Sequence, residues 1–322
     1  MKRPPLLSVA MAPHTHLGVR VSEVYLHQLV ALLPAAIGAV WIWGLLALRT
    51  ILLTVGAVLI LEWLTGRLMN RETSVLDGSA AVQGLLLAFL FHAGMPWWLI
   101  LLGALVMVTL GRQFFGGIGG YPLNPPALAY AVLLLSWPAR LDAPRALTGI
   151  ELGFPPVEAL VAWRSFGIDG ISAYSLRDLF LGAQVGGLGA TFGLLLALGA
   201  LYLIIRGFIA WRISLAFLAA LFATAGIFHL GDPLTYPPPL FQLFSGMAIF
   251  VAFFLLTDFT TAPVNPWAQV VYGIGAGLLT VLIRSFGGYP DGAIFAVLLM
   301  NLAHPLIDKI RPRVLRVEVP AQ

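Results

Sequence analysis

The chain contains no cysteine. That excludes disulfides, thiolate-bound clusters and cysteine nucleophiles, so any redox chemistry must come from an organic cofactor or from a metal held by histidine or carboxylate. Charge is also scarce. Of the 322 residues, 10% are Asp, Glu, Lys or Arg, against roughly 25% in an ordinary soluble domain. The sequence has no Walker A motif and no GxGxxG after a strand, so it offers nucleotide phosphates no loop of that kind. Nor does the start read as a signal peptide. Met1 to Tyr25 carries Lys2, Arg3, His14, His16, Arg20 and Glu23, without an apolar centre and a small-residue cleavage site.

What the chain has is apolar length. Hydrophobic residues make up 60% of it, and the mean hydropathy is +0.94, too high for a protein that keeps a wet surface. The formal charge of +4 and pI near 9.6 would suggest nucleic acid in a soluble protein. Here they read as the positive-inside bias of a membrane protein, and no nucleic-acid partner is expected. The expected fold class is an all-α integral membrane protein with about ten transmembrane helices, over 25–46, 51–65, 79–92, 97–115, 126–138, 184–205, 211–229, 240–257, 267–284 and 291–307. The third and fifth segments are short and start at sharp breaks, Asp77-Gly78-Ser79 and Asn124-Pro125-Pro126. Broken helices at membrane depth are tolerated where they line a cavity or hold a ligand.

Basic residues set the expected orientation. With the N-terminus inside, twelve lie on the cytoplasmic side (Lys2, Arg3, Arg20, Arg67, Arg71, Arg112, Arg206, Arg212, Lys309, Arg311, Arg313, Arg316). Six lie outside (Arg49, Arg140, Arg145, Arg164, Arg177, Arg284). This favours cytoplasmic termini. The expected organisation is then a cytoplasmic segment 1–24, one transmembrane domain 25–307 and a cytoplasmic tail 308–322. The domain divides into halves of about 25–138 and 178–307 around an outer loop 139–177.

The halves share a motif. Gly119-Gly120-Tyr121-Pro122 precedes the apolar helix from Pro126, and Gly287-Gly288-Tyr289-Pro290 precedes the one from Asp291. An arginine stands upstream of each, Arg112 and Arg284. By the charge count one copy is cytoplasmic and the other external. Two inverted five-helix halves would produce that arrangement. A common turn between apolar helices would produce the motif too.

An ordered set of motifs carries a family resemblance. Ala12-Pro13-His14-Thr15-His16 leads into Ala31-Leu32-Leu33-Pro34-Ala35, and Asp77-Gly78-Ser79 starts a helix. Gly111-Arg112-Gln113-Phe114-Phe115-Gly116-Gly117 is followed by Asn124-Pro125-Pro126-Ala127. Later come Thr257-Asp258-Phe259-Thr260-Thr261-Ala262-Pro263-Val264 and Leu282-Ile283-Arg284-Ser285-Phe286-Gly287. Leu298-Leu299-Met300-Asn301 and Pro305-Leu306-Ile307-Asp308 close the set. Together they resemble the RnfD family of Rnf electron-transport complexes, which is similar in turn to NqrB of the sodium-pumping NADH:quinone reductase.

The resemblance implies a bacterial inner-membrane subunit that works with other Rnf subunits. Such a complex passes electrons between ferredoxin and NAD and couples this to Na⁺ or H⁺ movement. It also implies flavin: FMN joined by a phosphoester to an outer-side threonine, installed by a flavin transferase, and a second, non-covalent riboflavin. The family's attachment motif runs Asp, two variable residues, Ser or Thr, Gly, Ala, then the acceptor Thr. Asp142-Ala143-Pro144-Arg145-Ala146-Leu147-Thr148 has the Asp and the Thr at that spacing, in the loop placed outside. It departs at Arg145, Ala146 and Leu147. Thr148 is therefore the candidate for covalent FMN, with Asp142 beside it, and an ordinary loop threonine is the competing reading. Gly189-Ala190-Thr191 matches the last three positions but lacks the Asp, and Gly186 to Gly189 reads instead as close helix packing.

The remaining polar candidates divide between function and scaffolding. Asp258, in a polar island between apolar helices, is a candidate contact for the second flavin or for an ion path. Arg112 and Arg284 are candidates to neutralise a flavin or phosphate, or interfacial anchors. Asp77 reads as a helix cap or a functional acid, and Glu62 as a glutamate snorkelling to the headgroups. The scattered histidines show no metal-ligand spacing, so no metal site is expected. Two other functions remain open: a transporter or channel, since inverted broken helices also form solute paths, and a cofactor-free structural subunit.

Overall fold

A computed structural model describes residues 20–69, 75–142, 154–190 and 192–310. The described chain is helical throughout, with no strand among these residues. Its elements are α1 (Val21–Leu68), α2 (Ser79–Leu90), α3 (Trp97–Val106), α4 (Pro125–Ser136), α5 (Ala159–Ile171), α6 (Leu176–Leu181), α7 (Gly193–Ile205), α8 (Trp211–Gly231), α9 (Pro239–Phe244), α10 (Pro266–Phe286) and α11 (Ala293–Ile307). Among the described residues, four helical stretches are long and apolar enough to cross a membrane, Val21–Leu68, Trp97–Phe115, Trp211–Gly231 and Pro266–Phe286. Four shorter apolar helices, α2, α4, α7 and α11, lie among them. Large apolar side chains face outward, Trp41 at 88% exposure and Leu45 at 80%. In lipid such a surface needs no polar cover, because the helix satisfies its own backbone.

The helix α1 is two helices joined at a kink. Gly44 has φ 60 and ψ −142, far from helical values. The chain folds back there, because residues near both ends of α1 meet the start of α2. A Cβ on Gly78 would touch the Tyr25 side chain at 3.5 Å, and Glu62 pairs with Arg112, which bonds Ser79. The expectation of two segments, 25–46 and 51–65, holds as two limbs, but the break falls at Gly44, inside the first expected segment, and residues 47–50 are helical.

The centre is α2. Eleven of its twelve residues are buried, which is the pattern of a helix apolar on all sides and enclosed by its neighbours. It starts where Gly78 turns left-handed, at φ 80. The Asp77 carboxylate accepts the Ser79 N–H at 2.8 Å. That is the capping role expected of Asp77, one residue earlier than the usual cap position.

The two halves run in opposite directions along α2. Arg112 bonds Ser79 at its start. The Arg284 partner Asp291 lines a cavity with Leu90, Phe91 and His92 at its end. Twelve helical residues separate these ends by about 18 Å. Since α3 arrives at Arg112 and α10 arrives at Arg284, the two Gly-Gly-Tyr-Pro copies mark opposite ends of the bundle. We refer to them as the Arg112 end and the Arg284 end.

Two expected spans and the expected outer loop are modified. The 184–205 segment becomes helical only at Gly193. Before that, a stretch of turns and bends packs on the α2 terminus, with Leu188 N–H donating to the Phe91 carbonyl at 2.8 Å and Gly189 N–H to that of Phe89 at 2.7 Å. The close-packing reading of Gly186 to Gly189 holds, since a Cβ at Gly187 would come within 2.8 Å of the Leu90 carbonyl oxygen. The 240–257 segment breaks after α9, restarts at Ala248 and ends in a π-helical stretch, Val251–Leu255. The loop expected over 139–177 contains α5 and the start of α6.

Candidate functional site

At the Arg112 end, the last turns of α3 widen into a π-helix, Met107–Arg112. A π-turn inserts a residue and rotates the side chains beyond it around the helix axis. Here the arginine ends up inside the protein, at 0% exposure. One Arg112 terminal nitrogen donates to Ser79 Oγ at 3.0 Å and lies 3.5 Å from Glu62 Oε1. Glu62 is 1% exposed. The snorkelling expectation for Glu62 is therefore corrected: the α1 hairpin carries it inward, and a buried arginine holds it there. The pair is incompletely satisfied. Arg112 Nε and Nη1, Glu62 Oε2 and Gln83 Oε1 make no hydrogen bond with the described residues.

Tyr121, from the first Gly-Gly-Tyr-Pro, joins this end to the second half. Its hydroxyl accepts from Gln83 Nε2 at 3.0 Å and donates to Asp258 Oδ1 at 3.3 Å. Thr261 Oγ1 donates to Asp258 Oδ2 at 3.3 Å. Burial pushes the Asp258 carboxyl up to about 6, while the bonds from Thr261 and Tyr121 pull the other way. Arg112 and Asp258, far apart in sequence, both act on the Tyr121 hydroxyl electrostatically. The structure thus brings these two expected site residues together.

Beside them, Asn124 ties the halves. Its side chain caps α4 by accepting the Ala127 N–H at 3.1 Å and donates to the Leu255 carbonyl at 3.2 Å. Its backbone N–H donates to Asn301 Oδ1 at 2.8 Å, and Asn301 Nδ2 donates to the Tyr272 hydroxyl at 2.6 Å.

The Arg284 end is built differently. Here the carboxylate comes from the same broken loop, Asp291. Arg284 Nη2 and Nε donate to Asp291 Oδ1 at 3.0 and 3.3 Å. Arg284 also donates to the carbonyls of Gln242 and Ser245. Asp291 Oδ2 accepts the Met247 N–H at 2.7 Å, at the restart of the broken helix. Gly246 stands next to it at φ +65, and a Cβ there would lie 2.6 Å from Asp291 Oδ2. Arg284 is thus neither an interfacial anchor nor an open phosphate ligand. Its charge is spent inside the fold.

Between the end of α2, the middle of α4, the start of α5 and the second Gly-Gly-Tyr-Pro loop lies a cavity of about 340 Å³. Asp142, Glu158 and Asp291 line it, with His92, Tyr130 and Tyr289. Glu158 precedes the first turn of α5. Burial, reinforced by the Asp291 charge, pushes its carboxyl up to about 8, while Arg284 pulls it down. Pro138 and Gly288, both exposed, carry the cavity to the surface.

Of the expected site residues, Arg112 and Asp258 lie at the same end, each within electrostatic reach of Tyr121, and Asp142 lines the cavity at the other. Thr148 lies outside the described residues, as does Thr191. Sequence reasoning passed over Glu62, Tyr121, Glu158 and Asp291. For Asp291 a signal existed, its position directly after the repeated motif. For Glu158 there was none, since nothing in a single line of sequence marks a loop glutamate as half-buried in a cavity wall. No group of three or more His, Asp or Glu suited to a metal ion occurs among the described residues.

The model of the NQR2, RnfD, RnfE family matches residues 8–316. The chain belongs to this family. It is 36% identical over 307 residues to the D-type subunit of the Na⁺-translocating ferredoxin:NAD⁺ oxidoreductase complex of Acetobacterium woodii, covering 94% of this chain and 93% of that one. It is 32% identical over 323 residues to the D-type subunit of the proton-translocating ferredoxin:NAD⁺ oxidoreductase complex of Clostridium ljungdahlii, covering 94% of each. It is also 32% identical over 345 residues to the D-type subunit of the ion-translocating oxidoreductase complex of Aeromonas hydrophila, covering 96% and 98%. Membership of the NQR2, RnfD, RnfE family agrees with the resemblance read from the motifs, and the all-helical, multi-pass architecture fits it.

Proposed function

We propose that this chain is the D-type membrane subunit of an Rnf-type complex that passes electrons between ferredoxin and NAD⁺ and couples the transfer to ion movement. The observation that carries this reading is family membership over nearly the whole chain, with relatives named as such subunits. The relatives differ in named ion, Na⁺ for one and protons for another. Overall similarity therefore leaves the ion open. The expected setting is the bacterial inner membrane, with both termini cytoplasmic and the Arg284 end outside.

The same reading gives the subunit a flavin, FMN esterified to Thr148 by a flavin transferase. Asp142 lines the cavity at the Arg284 end. Six residues of chain reach about 20 Å at most, so Thr148 is tethered within that distance of the cavity. Held by that ester, a flavin would supply electron transfer. The protein's part would be to fix its position through the ester and to tune its surroundings. At the Arg112 end, the unpaired Arg112 nitrogens and Asp258 support a second, non-covalent riboflavin contact.

The test is purification of the tagged chain from native membranes in mild detergent. The expected result is recovery with other membrane and iron–sulfur or flavin subunits, together with ferredoxin-dependent NAD⁺ reduction that is lost when the chain is deleted. Recovery of the chain alone, with that activity unchanged in the deletion strain, would contradict the assignment.

A further inference from the structure

The cavity at the Arg284 end holds an acid and a base that no plain electron carrier requires. His92 is 3% exposed. Its Nε2 lies 3.0 Å from the Arg140 carbonyl oxygen. A carbonyl only accepts, so Nε2 carries the hydrogen, and Nδ1 is left as a lone-pair acceptor in the neutral ring. That Nδ1 is buried, and no described residue donates to it. Glu158 lines the same cavity.

The charged and titratable groups around Glu158 are unequal in sign. Asp142 follows α4, Asp291 comes from the second broken loop, and Arg284 from α10. His92 and Tyr130 line the cavity from α2's end and α4, and Tyr174 feels the Glu158 charge from beyond α5. The one guanidinium among them is already bonded to Asp291. Glu158 therefore faces two acids and no free cation among these groups, and burial together with the Asp291 charge places its titration at about 8. At neutral pH it holds a proton.

We propose that this cavity is a proton-binding site, in which Glu158 holds and releases the proton and His92 exchanges it. The cavity, about 340 Å³ with His92, Asp142, Glu158 and Asp291 in an otherwise largely apolar wall, admits roughly ten waters at about 30 Å³ each. On release, the Glu158 O–H bond breaks and the carboxylate keeps the electron pair. The proton passes through cavity water to the His92 Nδ1 lone pair, forming an N–H bond and an imidazolium. Loss of that proton to solvent past Pro138 and Gly288 restores the neutral ring. No oxidant or reductant enters this step. The site stands on its own residues and is independent of whether flavin is esterified to Thr148.

The test is infrared difference spectroscopy of the intact purified complex across a pH titration. The expected spectrum contains a protonated-carboxyl band that disappears with a midpoint near 8 and is absent in Glu158→Gln, a substitution that copies the shape of the protonated acid. Asp142→Asn removes a neighbouring negative charge and should move the midpoint down by about one unit. A carboxyl band that survives unchanged in Glu158→Gln overturns the proposal. If Glu158→Gln fails to assemble, Asp142→Asn decides: a lowered midpoint supports the proposal, and an unmoved one overturns it.

Discussion

The backbone N–H of Asn124 donates to the Asn301 side chain at 2.8 Å, across 177 positions of sequence. The bond joins the break before α4 to the last helix of the other half. Asn301 also donates to the Tyr272 hydroxyl, so one side chain serves both halves. Replacing it with leucine strands a buried backbone N–H, and each such group costs about 1–3 kcal/mol. Asn301→Leu should therefore lower the thermal unfolding temperature of the detergent-solubilised protein clearly. Asn265, which caps α10 and bonds Trp267 at an exposed site, should matter much less when changed to alanine. Equal shifts for the two would contradict this ranking.

Gly246 and Gly44 separate crowding from backbone strain. Both have positive φ, +65 and +60. A Cβ at Gly44 meets nothing within 4 Å, whereas one at Gly246 collides with the carboxylate of Asp291. Gly44→Ala should cost about 1–3 kcal/mol, because φ 60 with ψ −142 is backbone that glycine alone adopts readily. Gly246→Ala should abolish stable folding, because it also displaces the partner of Arg284. Yield and unfolding temperature of the two variants measure the difference.

How far the sequence exposes this architecture depends on which force dominates locally. Membrane helices are readable because lipid demands long apolar runs, and the inverted halves are readable because Gly-Gly-Tyr-Pro recurs with an arginine before each copy. Glu62 misleads because the cue for snorkelling is position near a helix end. What decides its fate is the Gly44 hairpin and the π-turn that points Arg112 at it, and both are tertiary. Asp142 is singled out in the sequence by the family's motif spacing, and the structure places it in the cavity wall. The cavity it lines is assembled from six separate segments, which no local pattern encodes.

Glu62 and Arg112 should show the energetics of a buried pair. Removing one partner leaves a charge unpaired at 0–1% exposure, at a cost of about 3–5 kcal/mol. Glu62→Leu and Arg112→Met should each destabilise strongly, while the double variant recovers most of the loss. A double-mutant cycle on unfolding temperature reads the coupling, and additive losses would contradict it.

Asp258 gives a pH signature. Its folded value of about 6 lies above the ordinary 3.8, so folding favours the protonated form. The stabilisation from this group is complete below about 4 and is lost as pH rises through 6. Asp258→Asn should remove that component. The unfolding temperature of the natural protein, measured against the variant, should therefore fall between pH 4 and pH 7. A difference that is flat or opposite in sign contradicts the burial of this carboxyl.

The flavin assignment rests on Thr148, and intact mass of the chain from its native host tests it most directly, beside Thr148→Ala. The account predicts a mass gain of one FMN phosphoester that vanishes in the substituted chain. An unmodified mass, in a host that flavinylates other proteins, would contradict it.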